Sequence, residues 1–222
     1  MNQVPLRQSI IDNCLRMNEI GLNQGVAGNI SVRDGDVMLI TPTSVPYDEL
    51  RPEDIVEMPL DGEYGAWSGP KPPSSEWRFH LDIMRSRPDV QAIVHSHPMY
   101  CTSIAITRRA IPACHYMIAA FGGKDVRCAD YATYGTSELS ENVLVAMRGR
   151  TACLLANHGS ICVGRSLSDA MWRAVELETI AQQYFNAMLM GNVAILSDEQ
   201  IETVRRKGFS ESYGGMDGPA PE

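Results

Sequence analysis

Helical and strand-like segments interleave along the whole chain, and this alternation constrains the fold more than any other feature. Leu6, Ile10, Cys14, Met17 and Ile20 recur at helical spacing, and Gly21 then supplies a stop. Asn29 to Val32 and Val37 to Thr41 flank Asp34-Gly35, a hairpin signal because glycine adopts the left-handed backbone that a tight turn requires. Ser75 to Arg87 reads as a helix ended by Pro88, and Ala92 to His97 as a strand ended by Pro98, since proline has no amide hydrogen to continue either ladder. The pattern then predicts a helix over 99–108, a short strand over 110–114, a helix over 138–149, and strands over 152–156 and 160–163. Ser166-Leu167-Ser168-Asp169 opens a long helix reaching Gly191, and Ser197-Asp198-Glu199-Gln200 has capping-box spacing for one more. The expected architecture is one layered α/β domain over residues 1–213, with a sheet that the hairpin prevents from being all parallel. Residues 214–222 offer little apolar surface to bury and are expected to form a flexible tail.

Composition removes several classes of function. A chain of 222 residues with 44% apolar and 21% charged residues sits near globular averages, and it contains no apolar run of the roughly 18 residues needed to span a bilayer. Nineteen basic against 27 acidic residues give a net charge of −8, so bulk charge would repel a nucleic-acid backbone. Neither nucleic acid nor membrane is expected as a partner, and an anionic small molecule would need a local arrangement of donors. The N-terminal residues lack the basic flank, apolar core and cleavage site of a signal peptide, so a cytoplasmic location is expected. Cys14, Cys101, Cys114, Cys128, Cys153 and Cys162 show no CxxC spacing and read as reduced, mostly buried small hydrophobes.

Three of the five histidines fall where chemistry is the better explanation. His95 and His97 stand at i and i+2 of a predicted strand, and such side chains share a face. An isolated pair of this kind is as often two satisfied polar residues as a chelate. His158 tips the balance, because it ends another strand-like run before Gly159, where the backbone is expected to turn sharply. Three imidazoles suit a divalent first-row ion and leave an open position. Glu76 lies in the first turn of the helix predicted from Ser75, where a carboxylate could simply complement the helix dipole. Ser74 and Ser75 beside it add hydroxyls to unpaired amides, a setting for an anion. Gly25-Val26-Ala27-Gly28-Asn29 and Thr41-Pro42-Thr43-Ser44 are turn segments able to do the same. Together they describe a phosphorylated ligand presented to a metal and a carboxylate.

At these residues the sequence resembles the class II aldolase/adducin family, in its L-fuculose-1-phosphate aldolase branch. The likeness runs through Gly21 to Gly25, Ala27-Gly28-Asn29, Leu39 to Thr43, Pro73 to His80, the HxH strand, Ile111-Pro112, His115 to Ala120, Tyr131-Ala132-Thr133, His158-Gly159 and Leu196 to Glu199. It implies a three-layer αβα sandwich with a mixed, largely antiparallel central sheet, a homotetramer, and one zinc ion held by His95, His97 and His158. It also implies that Glu76 contacts the empty metal site and then acts as acid and base. Gly28, Asn29, Thr43, Ser44, Ser74 and Ser75 match the phosphate-holding positions. Tyr116 matches a proton-handling tyrosine that reaches a neighbouring subunit's site, and Tyr134 an aromatic residue near the aldehyde. The implied reaction is reversible cleavage of a ketose 1-phosphate to dihydroxyacetone phosphate and a small aldehyde.

The sequence also departs from that branch. Val26 replaces a phosphate-binding threonine and Ser44 a glycine, while Phe209 and Tyr213, candidates for the aldehyde end, stand four residues apart where the branch has three. A 5-deoxyribulose or 5-methylthioribulose 1-phosphate therefore competes with fuculose 1-phosphate as substrate. The same family scaffold serves phosphopentose 4-epimerases, in which an aspartate stands at the position of Glu76. It also serves zinc dehydratases and decarboxylases, which keep a similar histidine set, and adducin-like binding modules, which lack the metal histidines.

Overall fold

The computed structural model describes residues 3–208. Helix α1 (Val4–Glu19) carries Pro5 in its first turn and is followed by Gly21 in the left-handed region. Strands β1 (Asn29–Asp34) and β2 (Val37–Ile40) form the expected hairpin, but β1 runs two residues further than the sequence predicts. Asp34 pairs with Val37, and the turn is Gly35-Asp36, with Gly35 at a φ of 58°.

Strand β3 (Val56–Pro59), helix α2 (Trp77–Ser86), strand β4 (Ala92–Ser96) and helix α3 (Met99–Ile106) follow. Next come strand β5 (Cys128–Ala129), helix α4 (Ser137–Ala146), strands β6 (Ala152–Leu155) and β7 (Gly159–Gly164), and helices α5 (Leu167–Met190) and α6 (Asp198–Lys207). The side chains of Thr136, Ser166 and Ser197 cap α4, α5 and α6 by accepting an amide hydrogen bond three residues on.

Among the described residues, seven strands form one sheet in the order β3-β2-β1-β4-β7-β6-β5, and only the β5–β6 pair is parallel. Each other neighbouring pair is antiparallel, so the sheet is mixed as expected. One core cluster joins Ile10 and Met17 of α1 and Leu177 and Ile180 of α5 to Ile30, Val94 and Cys162 of the sheet. A second joins Phe79 and Ile83 of α2 and Val143 of α4 to Met38, Ile93 and Ile161. Alternate residues of the same strands thus feed the two clusters, and helices cover both faces. Each fully buried aliphatic side chain contributes about 1.5–3 kcal/mol relative to exposure.

Two expectations need correction. The strand over 110–114 is a single bridge between Ile111 and Val126, because Pro112 has no amide to extend it. Helix α2 begins at Trp77 rather than Ser75, so Glu76 is its N-cap residue and lies just outside the first turn.

Candidate functional site

Sheet register assembles the site. β1 and β4 pair so that Asn29 lies opposite His95, which in turn faces Ile161 of β7. Their side chains share the α2 side of the sheet, where the ring of His95 meets that of Phe79 edge-on. His97 lies one residue beyond β4, and its backbone N–H donates to Asn23 Oδ1 at 2.8 Å. His158 occupies the turn between β6 and β7, after Asn157 at a left-handed φ of 56°.

Gly159 has a different task from the sharp turn expected of it. A Cβ there would collide with the Ser96 carbonyl and lie 2.8 Å from His97 Cδ2. Glycine therefore allows β7 to start against the end of β4, and Asn157 supplies the unusual backbone angle.

The three imidazoles stand pairwise at 4.8 Å between centroids, with interplanar angles of 70°, 77° and 75°. His95 Nε2 and His97 Nε2 are 2.9 Å apart. Glu76 completes the cluster, with Oε2 3.1 Å from His95 Nε2 and Oε1 3.2 Å from His158 Nε2. The four ligand atoms all lie within 4.8 Å of one another.

This set fits a divalent ion. His95 Nδ1 lies 2.9 Å from the Ser160 carbonyl and must donate to it, which leaves the Nε2 lone pair pointing at the cluster. Two bare imidazole nitrogens at that separation repel unless a proton or cation lies between them. Glu76 Oε1 is buried without a hydrogen-bond partner, a free acceptor aimed at the same point. Without a cation, burial works to raise the Glu76 carboxyl, but His95 and His158 outweigh it and hold it well below the usual carboxylate range. Burial, aided by His95 and His158, pushes His97 down to about 3, whereas Glu76 overcomes the burial of His95 and draws it up.

A cavity of about 370 Å3 opens beside the cluster. Gly28, Asn29, Thr43, Ser44, Ser74, Ser75, Glu76, Tyr134, His97 and His158 line it, so most residues singled out in the sequence converge here. His95 is fully buried behind them. Gly28 has a φ of 76°, and a Cβ there would lie 2.5 Å from the His95 carbonyl, so the loop needs glycine on both counts. Val26 also faces the cavity, and Ser44, which stands where the family branch has glycine, holds a left-handed φ of 58°.

Tyr116 is elsewhere: it is 41% exposed on the 3₁₀ helix Tyr116–Phe121, beside His115, and does not line its own chain's cavity. Phe209 and Tyr213 lie outside the described residues.

Sequence reasoning missed several contributors. Asn23 ties the end of β4 to the glycine loop by also donating to the Ala27 carbonyl at 2.5 Å. Tyr47 donates to the carbonyls of Ala27 and Gly28 at 2.8 and 2.9 Å. Burial, then Cys14 and Glu76, raise that phenol. Tyr131 and Asn157 line the cavity, and His80 and Ser31 stand behind Asn29. Asn23, His80 and Tyr131 fall within the stretches that carry the family likeness, but nothing in the residues themselves marked a role, beyond the i, i+4 spacing of His80 from Glu76.

A family model described as the class II aldolase and adducin N-terminal domain matches residues 8–185. The chain is 48% identical over 213 residues to the 5-methylthioribulose-1-phosphate/5-deoxyribulose-1-phosphate aldolase of Rhodospirillum rubrum, covering 96% of this chain and 94% of that one. It is 49% identical over 215 residues to the L-fuculose phosphate aldolase of Escherichia coli K12, covering 96% and 98%. Among solved structures, an L-fuculose 1-phosphate aldolase superposes with a TM-score of 0.87 at 40% identity, over 93% of this chain and 96% of that one.

Proposed function

From a chain that belongs to the class II aldolase and adducin family, we propose a zinc-dependent aldolase that reversibly cleaves a ketose 1-phosphate to dihydroxyacetone phosphate and a small aldehyde. The observation that carries this reading is the convergence of three imidazoles and one buried carboxylate on the wall of a cavity lined by hydroxyls and a glycine loop. His95, His97 and His158, whose Nε2 atoms face the cluster, would hold the ion. When bound, the ion supplies Lewis-acid stabilisation to the negative charge that develops on the ketone fragment. Glu76 Oε2 accepts a hydrogen bond from Asn29 Nδ2 at 3.0 Å and faces the reacting carbon, where it delivers a proton in cleavage and removes it in condensation.

The phosphate is met by neutral groups. Among the described residues lining the cavity there is no lysine or arginine. Gly28, Asn29, Thr43, Ser44, Ser74 and Ser75 instead offer amides and hydroxyls, which anchor the substrate away from the bond that breaks. Tyr116 serves the site of a neighbouring subunit in a homotetramer and handles the proton on the hydroxyl that becomes the aldehyde. Its exposed place outside its own cavity supports that assignment. Tyr134, 65% exposed and lining the cavity, meets the aldehyde end. Among the described residues no helix is long and apolar enough to cross a membrane. A cytoplasmic location belongs to the same proposal.

Glu76→Gln should keep metal and phosphate ligand while losing turnover by about 10²–10⁴-fold, and an unimpaired variant would place the base elsewhere. A second reading of the aldehyde end, 5-deoxyribulose or 5-methylthioribulose 1-phosphate, is favoured by the Rhodospirillum relative. Retro-aldol rates on these and on fuculose 1-phosphate decide between the two, and a large preference for fuculose would sink the second.

A further inference from the structure

His80 is fully buried, and none of the chemistry above uses it. It lies in α2, one turn after Glu76, stacked on Phe79 with 4.7 Å between ring centroids. Both ring nitrogens are engaged: Nδ1 is 2.7 Å from Ser31 Oγ, and Nε2 is 2.5 Å from Asn29 Oδ1. The other end of the Asn29 amide points into the site, with Nδ2 2.9 Å from Ser74 Oγ and 3.0 Å from Glu76 Oε2. Ser31, His80, Asn29 and Glu76 therefore form one buried line.

The polarity of that line is fixed by the member that has no choice. An ionised carboxylate only accepts, so Asn29 must turn its NH2 towards Glu76. The amide oxygen is then left facing His80, and since it too only accepts, Nε2 must carry the proton. Nδ1 is bare in that tautomer and accepts the hydrogen of the Ser31 hydroxyl. Reversing one bond reverses them all and sets the Asn29 carbonyl against the carboxylate, two acceptors in a buried place. Burial, with His95 adding to it, pushes His80 down to about 3, in keeping with a neutral ring.

We propose that His80 is a positioning residue: as its Nε2–H tautomer it locks the Asn29 amide in the orientation that donates to Glu76, and so aims the carboxylate at the reacting carbon. The proposal rests on the reading of Glu76 as acid and base. Leucine at position 80 would fill space but leave the amide free to turn over, whereas glutamine offers an N–H at about the reach of Nε2.

Nitrogen-15 NMR of the metal-loaded enzyme should show His80 protonated at Nε2 and bare at Nδ1. His80→Leu should lower kcat for ketose 1-phosphate cleavage about 10–100-fold, as misaimed catalytic groups do, with KM moving less than kcat. His80→Gln should recover most of the loss. In an Asn29→Ala background, His80→Leu should add less than about a further twofold, because the route through the amide is already gone. A proton on Nδ1, a glutamine variant no better than leucine, or an equal loss with and without Asn29 would overturn the proposal. Failure of the Glu76 reading looks different: Glu76→Gln would be unimpaired, while the tautomer would still report the hold of His80 on Asn29.

Discussion

Replacing Gly159 with alanine probes whether the approach of β7 to the end of β4 sets the spacing of the imidazoles. The added Cβ would lie 2.8 Å from His97 Cδ2 and nearer still to the Ser96 carbonyl, where ordinary contact begins at 3.4 Å. The start of β7 must retreat by about 1 Å from the Ser96 carbonyl and by about 0.6 Å from the His97 ring, while a working constellation tolerates about 0.5 Å. Overfilling of this kind costs about 1–3 kcal/mol. At about 2–4 °C per kcal/mol for a chain of this size, the metal-stripped variant should melt about 2–12 °C below the parent. Metal dissociation should rise about 10–100-fold, since the displaced groups are a ligand and the segment bearing His158. Calorimetry with and without metal, and competition against a chromophoric chelator, read the two effects separately. Gly149→Ala is the control: it has a φ of 64° but nothing within 4 Å of its Cβ, so it should lose stability and keep metal affinity. A Gly159→Ala protein with parental melting and parental metal affinity would refute the reasoning.

Acid should unfold the metal-stripped protein through groups at this site. His80 is pushed down to about 3 from 6.5, so between those values the unfolded chain binds a proton that the native state refuses. Stability from this group is complete above about pH 6.5 and declines as pH falls, and His80→Gln should flatten the decline by up to about 1.4 kcal/mol per pH unit. Equal slopes in urea titrations between pH 6 and 4.5 would contradict this. Asn23→Ala leaves the His97 N–H unmatched, while the Ala27 carbonyl keeps the Tyr47 hydroxyl, and should destabilise by about 1–3 kcal/mol in the same assay. Val26→Thr adds a hydroxyl to the cavity wall and should lower KM for the ketose 1-phosphate by a few-fold, up to about tenfold.

How much of this was legible in the sequence depended on the length and regularity of each signal. The helices announced themselves through spacing and caps, as at Ser166 and Ser197, because those cues lie within a few residues of one another. β5 has two residues and β3 four, too few to show a period, and the parallel β5–β6 pairing is a long-range event with no local mark. His95, His97 and His158 stood out because a rare residue type recurred at strand ends. Tyr47 and Ser31 did not, since each acts through a partner on another segment and looks like an ordinary turn or strand residue. Gly159 was noticed for the wrong property: sequence shows that a side chain is missing, but not which neighbour needs the room.

The candidate ligands come from the start of α2, from β4 and the residue after it, and from the turn into β7, segments far apart in the chain that meet at the middle of the sheet. An ion held by all of them closes long loops through the centre of the fold. Those strands cannot part in a native-like opening without first releasing it. Amide exchange in β4 and β7 should therefore be the slowest in the loaded protein and the most accelerated by chelation, while edge strands β3 and β5 barely respond. The part of the molecule most protected from solvent would then be set by the free metal concentration.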